Sequence, residues 1–186
     1  MVISEREVTV SVSNSGIATP SQVIYTCRAV GGVSDTIPVL RNFKTFSYSG
    51  KTIPVYSGPG TNYFRASNNK ASLSGGRIRV WGTAGQWALI GYGLSNNLYR
   101  IGYIAKASIP RDLDVPELIF SNKKVTLKSR APFIDDPIIQ PITIFEIAKG
   151  KEVTLLAYES FADHWAYIET TYNGKPVRGF INKTHF

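Results

Sequence analysis

Hydrophobic and polar positions alternate in short runs along this chain, which is the period expected of β-strands. Residues 8–12 alternate valine with polar residues, and IRVWG (78–82) and WALIGY (87–92) are rich in branched and aromatic side chains. Glycine and proline interrupt these runs at short intervals. Only AKASI (105–109) and INKTHF (181–186) are typical of single helical turns. The pattern predicts an all-β protein.

The second half of the chain repeats the first. WALIGYGLSNNLYRIGYIAKASI aligns with WAYIETTYNGKPVRGFINKTHF, so that Trp87 corresponds to Trp165 and Gly102 to Gly179. Upstream, GGRIRVWG corresponds to KGKEVTLLA, each a turn glycine followed by an alternating strand. Self-similarity of this kind predicts two copies of one all-β unit.

The boundaries follow from this alignment. Repeat 1 is predicted at 43–109 and repeat 2 at 117–186. The intervening 110–116 holds two prolines and three charged residues with little periodicity, which indicates a linker. Residues 1–42 are predicted to form an N-terminal β segment, either a hairpin or extra strands.

The order of motifs resembles the bacterial SH3-like domain. In repeat 1, YSGPGTNYFR (56–65) matches the opening motif of the family, and YRIGYIAKASI (99–109) matches its closing strand and short turn. In repeat 2, VRGFINKTHF (177–186) matches the close, but KSRAPFIDDP (128–137) replaces the opening motif, which removes support for a ligand role of this loop there. The resemblance implies two small SH3-like β-barrels in tandem.

The resemblance also implies a non-enzymatic module that binds bacterial peptidoglycan, especially its peptide stems and cross-bridges, in a secreted or envelope protein. Aromatic side chains are the candidate contacts, because flat rings give contact area at small entropic cost. Core packing is the alternative for each of them. The candidates are Tyr56, Tyr63, Trp87 and Tyr103 in repeat 1, and Phe133, Trp165, Tyr167 and Phe180 in repeat 2.

Reactive groups are sparse. Cys27 is the only cysteine, so no intramolecular disulfide or thiolate cluster forms, and its alternating surroundings predict a buried strand residue. His164 and His185 have no nucleophile beside them, and the pair Asp135-Asp136 precedes a proline in a loop. We therefore predict no enzyme activity, no metal and no cofactor.

The segment Gly58-Pro59-Gly60 is predicted to be a turn after the first strand of a barrel. Proline fixes φ near −65°, and glycine adopts conformations that other residues resist. It lacks the G-x-x-x-x-G-K-[ST] pattern and the following helix of a phosphate-binding loop.

The net charge of +8 attracts polyanions, and anionic cell-wall polymers are the partner that fits the resemblance. Single-stranded nucleic acid is an unlikely partner, because the basic residues do not cluster around the aromatic ones. The main alternative function is a protein-interaction or scaffolding module, in which the repeats pack on each other and hold a partner or assemble an oligomer.

The location is predicted less directly. No apolar run approaches the roughly 18 residues that span a membrane. The start, MVISEREV, has no hydrophobic signal region. The chain is therefore expected to be cytoplasmic, or to be a mature form with Met1 added after loss of a signal. The family resemblance favours the second reading.

Overall fold

The structure, a computed structural model, describes residues 37–94, 98–139, 141–159 and 164–186. All of these residues belong to one compact unit, Val33–Phe186. The predictions for the alternating run at 8–12 and for Cys27 lie outside the described residues, as does most of the N-terminal β segment.

The described chain consists mostly of strands, which confirms the all-β prediction. The strands before and within repeat 1 are β1 (Val39–Leu40), β2 (Lys44–Tyr48), β3 (Ile53–Pro54), β4 (Ser72–Leu73), β5 (Gly76–Ala84), β6 (Trp87–Gly93) and β7 (Tyr99–Ala105). Those of repeat 2 are β8 (Lys123–Thr126), β9 (Ala131–Ile134), β10 (Thr143–Ile147), β11 (Glu152–Glu159), β12 (Trp165–Tyr172) and β13 (Lys175–Asn182).

These strands form three open sheets. Repeat 1 contributes a four-stranded sheet in the order β2-β5-β6-β7 and the small pair β3-β4. The strands of repeat 2 form, together with β1, a seven-stranded sheet in the order β1-β11-β12-β13-β9-β10, with β8 beside β11. Among the described residues no sheet closes into a barrel. The two SH3-like barrels and the proposed domain boundaries therefore stay predictions.

Both repeats are built in the same way. Each has a bulged strand, at 80–82 in β5 and at 155–157 in β11, followed by a hairpin that begins at a tryptophan. Each then ends in one 3₁₀ turn, Lys106–Ser108 or Lys183–His185. The two helical turns predicted from the sequence are thus confirmed, but the expectation that they are the only ones is wrong, because Ala66–Asn69 forms a short helical segment in repeat 1. The internal repeat is visible in the backbone.

In each repeat, a glycine in the last strand allows that strand to contact an earlier segment of the same repeat. A Cβ on Gly102 would lie 2.8 Å from the carbonyl oxygen of Tyr56, and one on Gly179 would lie 2.6 Å from that of Ile134. At these points Tyr56 pairs with Tyr103, and Ile134 pairs with Phe180. A side chain at either glycine would push the two segments apart.

The segment that leads into each repeat pairs with the other repeat. Val39 of β1 pairs in parallel with Tyr158 of β11, in repeat 2. Glu117, ahead of β8, pairs in parallel with Thr83 of β5, in repeat 1. The backbone at Gly82 makes room for this approach, because a Cβ there would lie 2.5 Å from the Pro116 carbonyl oxygen. The end of the predicted linker is therefore fixed against repeat 1.

The apolar side chains form three clusters. One lies inside repeat 1 and one inside repeat 2. The third lies between the repeats, and Trp87 and Trp165 pack against it. Its buried members are Leu40, Trp81, Leu89, Tyr99, Ile101, Tyr103, Ile134, Leu156, Ala157, Tyr167 and Phe180. The two repeats thus share a core and form one packed unit.

Candidate functional site

The opening motif of repeat 1 crosses onto repeat 2. The Phe64 N–H donates to the Pro176 carbonyl oxygen at 2.8 Å, and the Phe64 ring meets the edge of the Tyr172 ring at 5.2 Å between centroids. The Tyr63 hydroxyl donates to Glu169 Oε2 at 2.7 Å. This crossing loop, residues 56–65, therefore joins the repeats, although the sequence suggested a free ligand loop.

The turn predicted at Gly58-Pro59-Gly60 is present. The Gly60 N–H donates to the Gly58 carbonyl oxygen at 2.9 Å. A Cβ on Gly58 would overlap the Tyr63 ring. Gly58 does not have a positive φ. The turn therefore requires glycine at this position because the Tyr63 ring lies so close, and not because the backbone conformation is unusual.

A polar cluster lies where the crossing loop meets repeat 2. Arg178 Nε donates to Glu169 Oε2 at 2.7 Å, and Arg178 Nη1 donates to the Tyr103 hydroxyl at 3.2 Å. The Tyr167 hydroxyl donates to the Tyr103 hydroxyl at 3.2 Å. We call Tyr63, Tyr103, Tyr167, Glu169 and Arg178 the interface cluster. Its ion pair, Arg178–Glu169, lies within repeat 2, and hydrogen bonds of Tyr63 and Tyr103 join it to repeat 1.

Aromatic rings surround the guanidinium of Arg178. Its Cζ lies 5.6 Å from the centroid of Tyr63, 5.8 Å from that of Tyr103 and 5.1 Å from that of Phe120. Cation–π contacts are strengthened when they are shielded from water, and the side chain of Arg178 is only 11% exposed. The rings and the carboxylate of Glu169 together compensate for burying this charge.

Burial perturbs the ionisation of the cluster. Burial raises the pKa of Tyr63 to about 12; Arg178 opposes this effect, while the hydrogen bond to Glu169 adds to it. Burial likewise raises the pKa of Tyr103 and of Tyr167. For Arg178, burial alone would lower the pKa, but Tyr103, Tyr167 and Glu169 raise it overall. At neutral pH the tyrosines therefore stay protonated: the hydroxyls of Tyr63 and Tyr167 donate, and that of Tyr103 accepts.

A different ion pair joins the two repeats directly. Arg100 Nε donates to Asp135 Oδ2 at 2.5 Å, and the Ile101 N–H donates to the Asp135 carbonyl oxygen at 3.0 Å. Burial raises the pKa of Asp135, while Arg100 opposes the shift. Next to this pair is a cavity of about 10 Å³, roughly the space of one water. The Ser57 hydroxyl borders it without a hydrogen-bond partner among the described residues.

Four of the aromatic candidates are buried. Tyr103, Tyr167 and Phe180 belong to the core shared by the repeats. Phe133 lies in the core of repeat 2 and stacks on Phe145 at 4.5 Å between ring centroids. None of the four exposes more than 1% of its surface. Their burial argues against direct contact with a ligand.

The other four candidates are partly exposed. Tyr56 and Trp87 form an edge-to-face pair with centroids 5.6 Å apart. Trp165 packs on the margin of the shared core, and Tyr63 is held by Glu169. The structure brings the Tyr56 and Trp87 rings into contact, while Trp165, like Trp87, packs against the core that the repeats share. Ligand binding through these residues stays a prediction.

The sequence reasoning did not select the charged residues of the interface. For Glu169 and Arg178 a signal was present: Asn173-Gly174 predicts a tight hairpin, in whose register these two residues face each other. For Arg100 and Asp135 there was none, since their contact depends on how the two repeats pack.

Among the described residues, no group of three or more histidine, cysteine, aspartate or glutamate side chains could hold a metal ion. No helix in the described part of the chain is long and apolar enough to cross a membrane. Comparison with protein families, curated proteins and solved structures finds no match for the chain.

Proposed function

We propose that this chain is a non-enzymatic binding protein of the bacterial cell envelope that recognises the peptide part of peptidoglycan. The motif order that resembles the bacterial SH3-like domain supports this proposal. The observation that carries it is the partly exposed pair Tyr56 and Trp87 on repeat 1, with ring centroids 5.6 Å apart and planes at 85°.

The chemistry around this pair suits a peptide that carries carboxylates. The Arg65 guanidinium lies 5.9 Å from the centroid of the Tyr56 ring. Rings provide contact area along an extended chain, and a nearby cation attracts its carboxylate groups. The net charge of +8 also draws the protein toward anionic wall polymers, although screening limits this attraction to about 8–10 Å at physiological salt.

The test is co-sedimentation with purified peptidoglycan sacculi at moderate salt. We compare the full chain with a Tyr56→Ala/Trp87→Ala variant, because Tyr63 also holds the two repeats together. A Tyr48→Ala variant is the control, since Tyr48 is partly exposed in β2 and donates only to the Lys51 carbonyl oxygen. Loss of two binding rings should weaken binding by at least about tenfold. Absence of wild-type binding contradicts the proposal.

A second candidate is a protein-interaction or scaffolding module. The burial of Tyr103, Tyr167 and Phe180 between the repeats favours it, because these rings are used inside the molecule. In that case the folded chain fails to sediment with sacculi, and light scattering gives a mass that rises with concentration if it assembles with itself. A monomer at all concentrations contradicts self-assembly.

A further inference from the structure

A groove of about 230 Å³ opens on the surface of repeat 2. It lies where two neighbouring strands separate. β11 begins at Glu152 and β12 ends at Tyr172, but the ladder pairs between them begin only at Thr154 and Glu169. Beyond that pair, β11 continues beside β8 and β12 continues beside β13. We call this opening the polar groove.

The strand ends in the polar groove are not joined to each other. No ladder pair links residues 152–153 to 170–171, although Val153 and Thr170 both line the groove. A strand edge of this kind binds an extended peptide through main-chain hydrogen bonds, and side-chain pockets beside it provide selectivity. The backbone geometry therefore suits a peptide.

The side chains around the polar groove carry a small excess of positive charge. Lys124, Lys151 and Glu152 border it. Lys124 Nζ donates to Thr154 Oγ1 at 2.9 Å and lies 3.8 Å from Glu152 Oε1. The lysine and glutamate side chains of that pair are more than 60% exposed, so the pair is weak.

The negative charge of Glu169 in the polar groove is already compensated by Arg178. Glu169 also lines the polar groove, but this carboxylate binds Arg178 and Tyr63. The two lysines, Lys124 and Lys151, set against Glu152 leave one positive charge. That balance favours a ligand with a single carboxylate. Hydroxyl groups of Thr154 and Thr171 offer further hydrogen bonds.

The corresponding place in repeat 1 is filled. The cross-strand row Lys124, Thr154, Glu169 and Arg178 of repeat 2 corresponds to Thr45, Arg79, Gly91 and Ile101 of repeat 1. There, a Cβ on Gly91 would overlap the Tyr99 hydroxyl, and the Arg79 guanidinium lies about 5 Å from the rings of both Phe43 and Tyr99. The β5–β6 ladder also continues one pair further, to Ile78 and Tyr92. The open groove is a feature of repeat 2.

We propose that the polar groove binds a short, extended acidic peptide, with its carboxylate between Lys124 and Lys151 and its backbone along the separated ends of β11 and β12. The groove is smaller than the roughly 300–1,000 Å³ of sites that enclose a drug-sized ligand. It therefore holds a short segment of the peptide. This inference does not depend on wall binding at Tyr56 and Trp87.

The test is a titration of the full ¹⁵N-labelled chain, followed by NMR amide shifts. The probes are acetyl-Ala-Glu-Ala-amide, its glutamine counterpart acetyl-Ala-Gln-Ala-amide, and sodium acetate. We expect the acidic peptide to shift the amides of residues 152–154 and 169–171, and the glutamine peptide to bind at least about fivefold more weakly. A Tyr56→Ala/Trp87→Ala variant should bind the acidic peptide as the wild type does.

A charge reversal provides the decisive comparison. Lys124→Glu/Lys151→Glu should weaken binding of the acidic peptide by at least about tenfold. Lys123→Glu/Lys149→Glu is the matched control: Lys123 neighbours Lys124 in β8 and points to the other face, and neither control residue lines the groove. The proposal is overturned if both charge-reversal variants weaken binding of the acidic peptide equally, or if the two peptides bind equally well. It is also overturned if acetate shifts the same amides as strongly as the acidic peptide, or if the peptide shifts amides elsewhere on the protein.

Discussion

The hydroxyl of Tyr63 donates a hydrogen bond to Glu169 Oε2 at 2.7 Å, across 106 positions of sequence. Tyr63 belongs to the loop that the sequence marks as the opening motif of repeat 1, and Glu169 lies in the middle of a repeat 2 hairpin. A residue expected to face a ligand therefore connects the two repeats.

Removing the Tyr63 hydroxyl should destabilise the protein. Tyr63→Phe leaves the ring in place but removes a hydrogen bond to a charged group, so we expect a loss of about 1 kcal/mol at this partly exposed site. Urea unfolding at neutral pH measures it. Tyr48→Phe, which removes an exposed, local bond to Lys51, should cost less. An equal loss of unfolding free energy in both variants would show that the Tyr63–Glu169 bond stabilises the protein no more than an exposed local bond does.

The two glycines at the strand contacts should not tolerate a methyl group. Gly102→Ala and Gly179→Ala place a Cβ against backbone carbonyl oxygens, so each should lower the free energy of unfolding by about 1–3 kcal/mol. Thermal unfolding of each variant measures this. Gly93→Ala is the control, because nothing lies within 4 Å of a Cβ at that position. Full stability of Gly102→Ala would refute the close approach of Tyr56.

Repeat 2 should not fold stably without repeat 1. Residues 117–186 alone would expose the faces of Tyr167, Phe180 and Leu156 that repeat 1 covers. The fragment should therefore lack the near-ultraviolet circular dichroism of packed aromatic rings, while the full chain shows it and unfolds in one transition. A fragment with native-like amide dispersion by NMR would contradict the shared core.

Stability should decline above pH 10. Burial raises the pKa of Tyr63 from 10.0 to about 12, so the folded state disfavours the tyrosinate. The contribution of this group is fully present below the unfolded pKa of about 10 and is lost as the pH rises through the folded value near 12. Burial raises the pKa of Tyr99 to about 12 as well, with the same sign.

Urea unfolding between pH 9 and 12 measures this decline, and tyrosinate absorbance gives the ionisation directly. Tyr63→Phe should make the decline shallower. The difference between the absorbance titrations of wild type and variant gives the pKa of Tyr63. A value near the ordinary 10 would contradict the partly buried hydrogen bond to Glu169.

Much of the strand content could be predicted because it is local. The branched and aromatic residues of 78–82 and 87–92 favour strands, and the glycine and tryptophan spacing sets the repeat. The Asn173-Gly174 turn even fixes the register that places Glu169 opposite Arg178. Each of these signals lies within a few residues of the structure that it determines.

The use of the aromatic faces could not be predicted in the same way. The alternation around Tyr103 and Phe180 indicates a buried face, but it does not predict which part of the protein covers that face. In this protein the other repeat covers it. Likewise, Tyr63 stands beside a glycine and proline turn, which is typical of exposed loops, and only the packing of the two repeats brings it to Glu169.

The reciprocal pairing of Val39 with β11 and of Glu117 with β5 has a consequence for how this architecture can grow. In solenoids, every unit offers a free face to the next, so arrays lengthen by duplication. Here each leading segment is already taken by the opposite unit, as in a closed symmetric dimer. In the part of the chain that the structure describes, a third copy inserted in tandem would find both of these pairing positions already occupied.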